Sequence, residues 1–160
     1  MDVNGLAAVV SGGASGLGEA TARGLAKSGV HVSVLDINEE GAKSVAGDIG
    51  GVAFACDISS SESLKTAINS ATEAHGLARI AINCAGIGTP AKIVGRNGPQ
   101  SLEVFRRIID INLVGTFNLL RLAGAGMQDL KPLDGGERGV IINTASVAAF
   151  EGQIGQAGSG

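Results

Sequence analysis

The sequence predicts an α/β fold built around a doubly wound parallel β-sheet, and two observations carry that prediction. Short runs of β-branched residues alternate with longer helical stretches five times along the 160 residues. The β-branched runs are apolar throughout instead of alternating, which is typical of strands covered by helices on both faces. We therefore expect one domain with five parallel strands, right-handed crossovers and a ligand-binding edge at the carboxyl ends of the strands.

Each predicted element ends at residues that are typical of caps and turns. The five predicted strands are residues 6–11, 30–36, 51–56, 79–83 and 140–144. The four predicted helices are residues 15–27, 39–48, 61–75 and 101 to about 126, and a Gly/Pro-rich loop occupies residues 86–100. Asn38 and either Ser60 or Ser61 are suitable N-caps, and Gly29 and Gly76 follow helix ends, where glycine is common.

The domain is predicted to span residues 1–157, with the Gly-Ser-Gly of residues 158–160 as a tail. We expect this tail to be a cloning remnant or the junction across a gap in the sequence. The sheet would then stop after its fifth strand, which would leave that strand as a bare edge and apolar surface uncovered.

Composition excludes several functional classes. A net charge of −3 and an aromatic content of 2% offer neither a basic surface nor stacking platforms for nucleic acid. Cys56 and Cys84 each end an apolar run and are expected to be buried free thiols, and no Cys/His cluster suggests a metal. No signal peptide and no uninterrupted apolar run of about 18 residues is present, so we expect a cytoplasmic protein without a membrane partner.

A glycine-rich turn follows the first strand. Gly12, Gly16 and Gly18 form the pattern G-x-x-x-G-x-G. Glycine permits a sharp turn and close approach of the backbone to a pyrophosphate, and the helix that begins near Ser15 directs its free N–H groups to the same place. A tight turn without a ligand is the alternative for the motif alone. Its position between a buried strand and a capped helix favours a dinucleotide site in a Rossmann-type fold.

Asp36 ends the second predicted strand and indicates which dinucleotide would bind. A carboxylate at this position can accept hydrogen bonds from both ribose hydroxyls and would repel a 2′-phosphate. The next two residues, Ile37 and Asn38, carry no positive charge to neutralise such a phosphate. The sequence therefore favours NAD over NADP.

Two further strand ends carry candidate cofactor residues. Asp57 follows the third strand and would either cap the next segment or lie near the adenine. Cys84, Ala85 and Gly86 follow the fourth strand, and their small side chains would let a nicotinamide ribose lie against the backbone.

Asn112 and Ser146 are the candidate catalytic residues. Asn112 shares a helix face with Ile108, Thr116 and Leu119, so its amide points inward. It is either a satisfied core group or a holder of a water or carbonyl for a site. Ser146 follows the fifth strand, where it could donate a hydrogen bond to a substrate oxygen or merely cap a turn.

These motifs together resemble the classical short-chain dehydrogenase/reductase family. The segment SGGASGLG, Asp36, Asp57, the segment NCAG, Asn112 and Ser146 arrive in the family's order. Residues 112–118 and 138–153 are similar to the branch of the family that acts on 3-hydroxyacyl-CoA, and the resemblance covers residues 5–157.

The resemblance implies roles for individual residues. The residues that would contact NAD are Ser15, Leu17, Asp36, Asp57, Ile58 and Cys84. Ser146 would bind the substrate carbonyl or hydroxyl, and Asn112 would hold the water of a proton relay. The implied reaction is reversible hydride transfer between NAD and the 3-hydroxy group of an acyl-CoA or another secondary alcohol, in a homo-oligomer that is a tetramer in complete family members.

The family's acid–base residues have no counterpart in the sequence. Its catalytic Tyr would fall on Ser159 and its Lys beyond Gly160, and the sequence contains no Tyr. We therefore expect the 160 residues to be inactive on their own. Three hypotheses follow: part of an NAD-dependent 3-hydroxyacyl-CoA dehydrogenase, an NAD-binding fragment or engineered truncation without turnover, and a short paralogue that acts as an interaction partner.

Overall fold

A computed structural model describes residues 1–158 of the chain. The strands are β1 (Ala7–Ser11), β2 (His31–Asp36), β3 (Val52–Ala55), β4 (Ile80–Asn83), β5 (Val94–Gly95), β6 (Gly98–Pro99) and β7 (Val140–Asn143). The helices are α1 (Gly16–Lys27), α2 (Glu39–Ile49), α3 (Ser61–His75), α4 (Leu102–Ile109), α5 (Thr116–Gln128) and α6 (Ala148–Glu151). A π-helical segment, Asp110–Gly115, joins α4 to α5.

The main sheet confirms the predicted fold class. It has five strands in the order β3-β2-β1-β4-β7, and every neighbouring pair is parallel. Ser11 lies in register with Leu35 of β2 and with Asn83 of β4. The carboxyl ends of these strands therefore meet at one edge, and the order in which strands are added to the sheet reverses between β1 and β4.

The core consists of two layers, one on each face of the sheet. Val10 of β1 packs in the layer that contains α1 and α2, whereas its neighbour Val9 packs in the layer that contains α3 and α5. β1, β2 and β4 are buried over most or all of their length. The outer strands β3 and β7 are less buried, and 51% of Ile142 in β7 is exposed.

The predicted caps of two helices are confirmed. Asn38 Oδ1 accepts a hydrogen bond from the Gly41 N–H at 3.1 Å and begins α2. Ser60, and not Ser61, caps α3, because its Oγ accepts from the Ser63 N–H at 3.3 Å. Gly29 follows α1 with a φ of +80°, a conformation that favours glycine.

Three elements differ from the sequence prediction. The single helix predicted from Ser101 contains the π-helical Asp110–Gly115, which a period of 3.6 residues does not reveal. Gly115 in this segment packs against Ile58, where a Cβ would approach Ile58 Cγ2 to 2.7 Å. The predicted loop 86–100 contains the small antiparallel hairpin of β5 and β6, and α6 follows β7.

Leu102–Gln128 is the one helix, within residues 1–158, that is long and apolar enough to cross a membrane by length and composition alone. Its inner side chains Ile108, Leu119, Ala123 and Met127 are buried. Arg106, Arg107 and Arg121 stand on its exposed side. This distribution is that of a helix that covers a sheet.

Candidate functional site

The carboxyl ends of β1, β2, β3 and β4 open into one cleft of about 420 Å³. All eleven residues that the sequence singled out for cofactor binding line it. They are Gly12, Ser15, Gly16, Leu17, Gly18, Asp36, Asp57, Ile58, Cys84, Ala85 and Gly86. Residues from four separate strand ends therefore converge on one volume.

The glycine turn is shaped by close backbone packing. Gly12 has a φ of +66°, and a Cβ there would lie 2.6 Å from the Ala85 nitrogen. A Cβ on Gly18 would collide with the Gly12 carbonyl. A Cβ on Gly16 would meet no atom within 4 Å, so this backbone faces open space in the cleft. The turn thus brings α1 close to the sheet and leaves its N-terminus accessible to an anion.

Ser15 is the N-cap residue of α1, but its side chain makes no capping hydrogen bond. This differs from Asn38 and Ser60, whose side chains cap their helices. Ser15 is exposed and lines the cleft. Its hydroxyl is therefore available to a phosphate at the helix N-terminus.

Asp36 is held in the cleft by backbone groups. Its Oδ2 accepts a hydrogen bond from the Ala14 N–H at 3.0 Å, and its Oδ1 accepts from the Asn38 N–H at 2.9 Å. Each carboxylate oxygen can accept a further hydrogen bond. The carboxylate is thus fixed in orientation, tied to the glycine turn through Ala14, and able to receive two hydroxyl groups.

Asp57 closes a local turn and also lines the cleft, so its geometry is compatible with both alternatives that the sequence leaves open. Its Oδ1 accepts from the Ser59 N–H at 2.9 Å and from the Ser59 hydroxyl at 2.6 Å, which closes a local turn ahead of α3. It also lines the cleft, as the adjacent Ile58 does. Its second carboxylate oxygen accepts no hydrogen bond from the rest of residues 1–158 and is free for a ligand donor.

The two cysteines differ, and the prediction that both are buried is wrong for one of them. Cys56 is buried, and desolvation raises the pKa of its thiol to about 11. Cys84 is only half-buried because it lies at an open strand end, where its Sγ accepts a hydrogen bond from the Thr144 hydroxyl at 3.7 Å. Both thiols are free.

A second cavity of about 400 Å³ contains both candidate catalytic residues. It is lined by Asn112 of the π-helical segment and by Ser146, which follows β7. Residues 84–87 line both cavities. A ligand in the first cleft would therefore lie next to a ligand in the second.

Asn112 is a satisfied polar group that holds the loop after β4. Its Nδ2–H donates to the Ile87 carbonyl and its Oδ1 accepts from the Ile87 N–H, both at 2.9 Å. Its main-chain carbonyl accepts from the Thr116 hydroxyl at 2.7 Å. The side chain thus positions a wall shared by both cavities, in keeping with the backbone-holding alternative.

Ser146 caps a turn and also faces the second cavity. Its Oγ accepts a hydrogen bond from the Ala148 N–H at 3.2 Å. The hydroxyl proton donates to no other group within residues 1–158, so it can donate to a ligand oxygen. Both interpretations of Ser146 therefore agree with its geometry.

Sequence reasoning missed a row of hydrogen-bonded polar side chains at the carboxyl ends of β1, β4 and β7, formed by Ser11, Asn83 and Asn143. Asn83 is 2% exposed, and its Nδ2–H donates to Asn143 Oδ1 at 2.8 Å. The Ser11 hydroxyl lies 3.4 Å from Asn83 Oδ1 and accepts from the Ala85 N–H at 3.4 Å. This row fixes the strand ends beneath both cavities. Its sequence signal is a polar residue at the last position of an apolar strand.

A second missed group holds the segment after β3. Asn118 of α5 is 4% exposed and donates to the carbonyls of Ile58 at 3.0 Å and Ser60 at 3.4 Å. Its Oδ1 accepts from Arg121 Nε and Nη2 at 3.1 and 2.7 Å. The signal was an Asn within an apolar helix face, where an unpaired amide is costly.

Position 159, where the family resemblance would place a catalytic Tyr, lies outside the described residues, as does Gly160. Gly158 is described and lies beside Ile108 at the second cavity. Within residues 1–158, no group of three or more His, Cys, Asp or Glu side chains could hold a metal ion.

The doubly wound sheet, the glycine turn and the acid at the end of β2 are features typical of nucleotide-binding α/β proteins. A family model described as short chain dehydrogenase matches residues 6–158. The chain belongs to the short-chain dehydrogenase family.

Individual relatives are similar over nearly the whole chain. The chain is 46% identical to the 3-hydroxyacyl-CoA dehydrogenase type-2 of Homo sapiens, over 97% of this chain and 61% of that protein. It is 39% identical to a 2,5-dichloro-2,5-cyclohexadiene-1,4-diol dehydrogenase of Sphingobium indicum, over 94% of this chain and 58% of that protein. The chain thus spans about three fifths of the length of these relatives.

A solved structure shares the fold closely. The crystal structure of 3-hydroxyacyl-CoA dehydrogenase type-2 from Mycobacterium avium superposes with a TM-score of 0.89 at 39% identity. The match covers 97% of this chain and 61% of that one.

Proposed function

We propose that this chain is the cofactor-binding part of an NAD-dependent oxidoreductase that acts on the 3-hydroxy group of an acyl-CoA. The observation that carries the proposal is the convergence of the glycine turn, Asp36, Asp57 and residues 84–86 on one cleft. The relatives named above as 3-hydroxyacyl-CoA dehydrogenases support the substrate class.

The residues of the cleft fit the adenosine and pyrophosphate portions of NAD. Open space at Gly16 and the free hydroxyl of Ser15 suit a phosphate at the N-terminus of α1. The fixed carboxylate of Asp36 suits two ribose hydroxyls and disfavours a 2′-phosphate. These features favour NAD over NADP.

The second cavity suits a secondary alcohol. Oxidation of such an alcohol to a ketone removes a hydride from carbon and a proton from oxygen, and bound NAD supplies the hydride acceptor. Ser146 would donate a hydrogen bond from its hydroxyl to the substrate oxygen and so orient the substrate. Asn112 would hold Ile87 and thereby the part of the loop after β4 that lines both cavities, which leaves the alcohol and the cofactor in direct contact.

The proton acceptor is expected to come from outside the 160 residues. A phenol with a pKa of about 10, lowered by a nearby ammonium, can exchange protons near neutral pH. The sequence contains no Tyr, and a serine hydroxyl is a far weaker acid. We therefore propose that the 160 residues alone bind NAD without turnover.

A chimera tests the activity. Residues 1–157 are joined to the remaining C-terminal part of the human relative, and NADH oxidation is followed with acetoacetyl-CoA. We expect activity from the chimera, a loss of at least about a hundredfold on Ser146→Ala, and none from the 160-residue chain. A folded, NADH-binding chimera that leaves acetoacetyl-CoA unchanged would refute the proposed substrate class. Turnover by the 160-residue chain alone would refute the proposal that the proton acceptor lies outside it.

A further inference from the structure

Arg107 is a charged residue of the cleft that none of the assignments above uses. It belongs to α4 and is exposed. It lines the cofactor cleft and also an outer cavity of about 370 Å³. The two cavities share Ile37, Asp57, Arg107 and Ile111, so Arg107 stands where one opens into the other.

Arg107 differs in sign of charge from the other charged residues that line the cleft. Among the described residues that line the cleft, Asp36 and Asp57 are acidic and Arg107 is the one cation. Glu103 and Asp110 line the outer cavity nearby. No carboxylate within residues 1–158 lies within 4 Å of the Arg107 guanidinium to form an ion pair. The guanidinium therefore forms no ion pair within residues 1–158 and is available to an anionic dinucleotide in the cleft.

Apolar side chains beside Arg107 provide a place for a flat ring. Ile37 follows Asp36 directly, and Ile111 lies one helical turn beyond Arg107. Both line the cleft and, like Arg107, also the outer cavity. A planar guanidinium at the rim of an apolar slot can stack on an aromatic face.

We propose that Arg107 is a further binding residue for the adenine end of the nucleotide, with its guanidinium stacked on the ring that lies between Ile37 and Ile111. The inference rests on the proposed function, since it assumes that the cleft receives a dinucleotide. It adds a contact from α4 to those from the strand ends.

Paired arginine variants test the contact. Arg107→Ala is compared with Arg106→Ala, whose side chain lines the outer cavity and not the cleft. Dissociation constants are measured for NADH, for 5′-AMP and for nicotinamide mononucleotide, and thermal melts verify folding. We expect Arg107→Ala to weaken NADH and 5′-AMP by about three- to fivefold, to leave nicotinamide mononucleotide unchanged, and Arg106→Ala to change each by less than about twofold.

The possible failures are distinguishable. A wild-type chain that binds neither NADH nor 5′-AMP overturns the proposed function and this inference together. Normal wild-type binding with equal effects of the two arginine variants overturns the role of Arg107 alone. Weaker binding of nicotinamide mononucleotide to Arg107→Ala overturns the adenine contact, because it shows a general charge effect.

Discussion

Asp36 links the two parts of the cofactor cleft. Its carboxylate accepts hydrogen bonds from Ala14 in the glycine turn and from Asn38 at the start of α2. A side chain anchored in this way loses little further freedom when it binds a ribose, so its contribution to cofactor choice is large for one residue. A 2′-phosphate would meet this fixed negative charge.

Asp36→Ala should reduce the preference for NADH over NADPH. The variant loses the acceptor for the ribose hydroxyls, so NADH affinity should fall about tenfold or more. NADPH affinity should stay the same or rise because the repulsion is removed. Fluorescence titration with both cofactors measures the ratio, with Asp134→Ala in an exposed loop as the control. Equal losses for the two cofactors would contradict the role of Asp36.

Two glycines of the same helix should respond oppositely to alanine. A Cβ on Gly18 would collide with the Gly12 carbonyl, so Gly18→Ala should lower the free energy of unfolding by about 1–3 kcal/mol. Gly24 of α1 is exposed and its Cβ would meet nothing within 4 Å, so Gly24→Ala should raise stability by about 0.5–1 kcal/mol. Urea unfolding compares them, and a Gly18→Ala variant as stable as the wild type would show that the turn is not closely packed.

The residues that line the cleft were predictable one by one because each signal is local. The glycine pattern lies within a single turn, and Asp36 directly ends an apolar run. The partner of Asn112 was not predictable, since Ile87 lies 25 positions away and contributes backbone atoms that leave no sequence pattern. The same holds for Asn118, whose carbonyl partners lie about 60 positions away.

At the scale of elements, α5 positions the segment that follows β3. Asn118 binds the carbonyls of Ile58 and Ser60, and Gly115 allows the helix to approach Ile58 closely. Asp57 and Ile58 at the start of this segment form one wall of the cleft. The long helix therefore acts as a support for that wall as well as a cover for the sheet.

Asn118→Ala should weaken both stability and cofactor binding. It removes the amide donor to the Ile58 carbonyl and one of the partners of the Ser60 carbonyl and of the Arg121 guanidinium, which costs about 1–3 kcal/mol. NADH affinity should also fall, and amide hydrogen exchange should increase at residues 58–60. Ser61→Ala removes only an exposed contact of Arg121 and should change neither property. Loss of stability with unchanged NADH affinity would show that Asn118 does not position the wall.

The larger elements followed from apolar runs, and the smaller ones did not. Strands that are buried on both faces leave unbroken Val, Ile and Ala runs, so the five-stranded sheet was predictable from the sequence. The hairpin of β5 and β6 has two residues in each strand, too few for an alternating pattern. The π-helical segment differs from an α-helix by its hydrogen bonds, which composition does not record.

For the whole molecule, large apolar side chains are exposed on one long helix and beyond β7. Leu113 and Phe117 are 63% and 60% exposed, and Phe150 is 90% exposed. Exposed large apolar side chains favour association, which would cover them. We expect the 160-residue chain to self-associate at micromolar concentration, and Phe117→Ser with Leu113→Ser to reduce this in sedimentation velocity experiments. A wild-type chain that stays monomeric at about 100 μM would contradict this expectation.

The central claim is that this chain contains a preformed site for NAD, and a calorimetric titration of the wild-type 160-residue chain tests it most directly. NADH and NADPH are titrated separately at one ionic strength. We expect the chain to bind NADH saturably at one site per chain, at least about tenfold more tightly than it binds NADPH. No saturable binding of NADH by the folded chain, or equal affinity for the two cofactors, would contradict it.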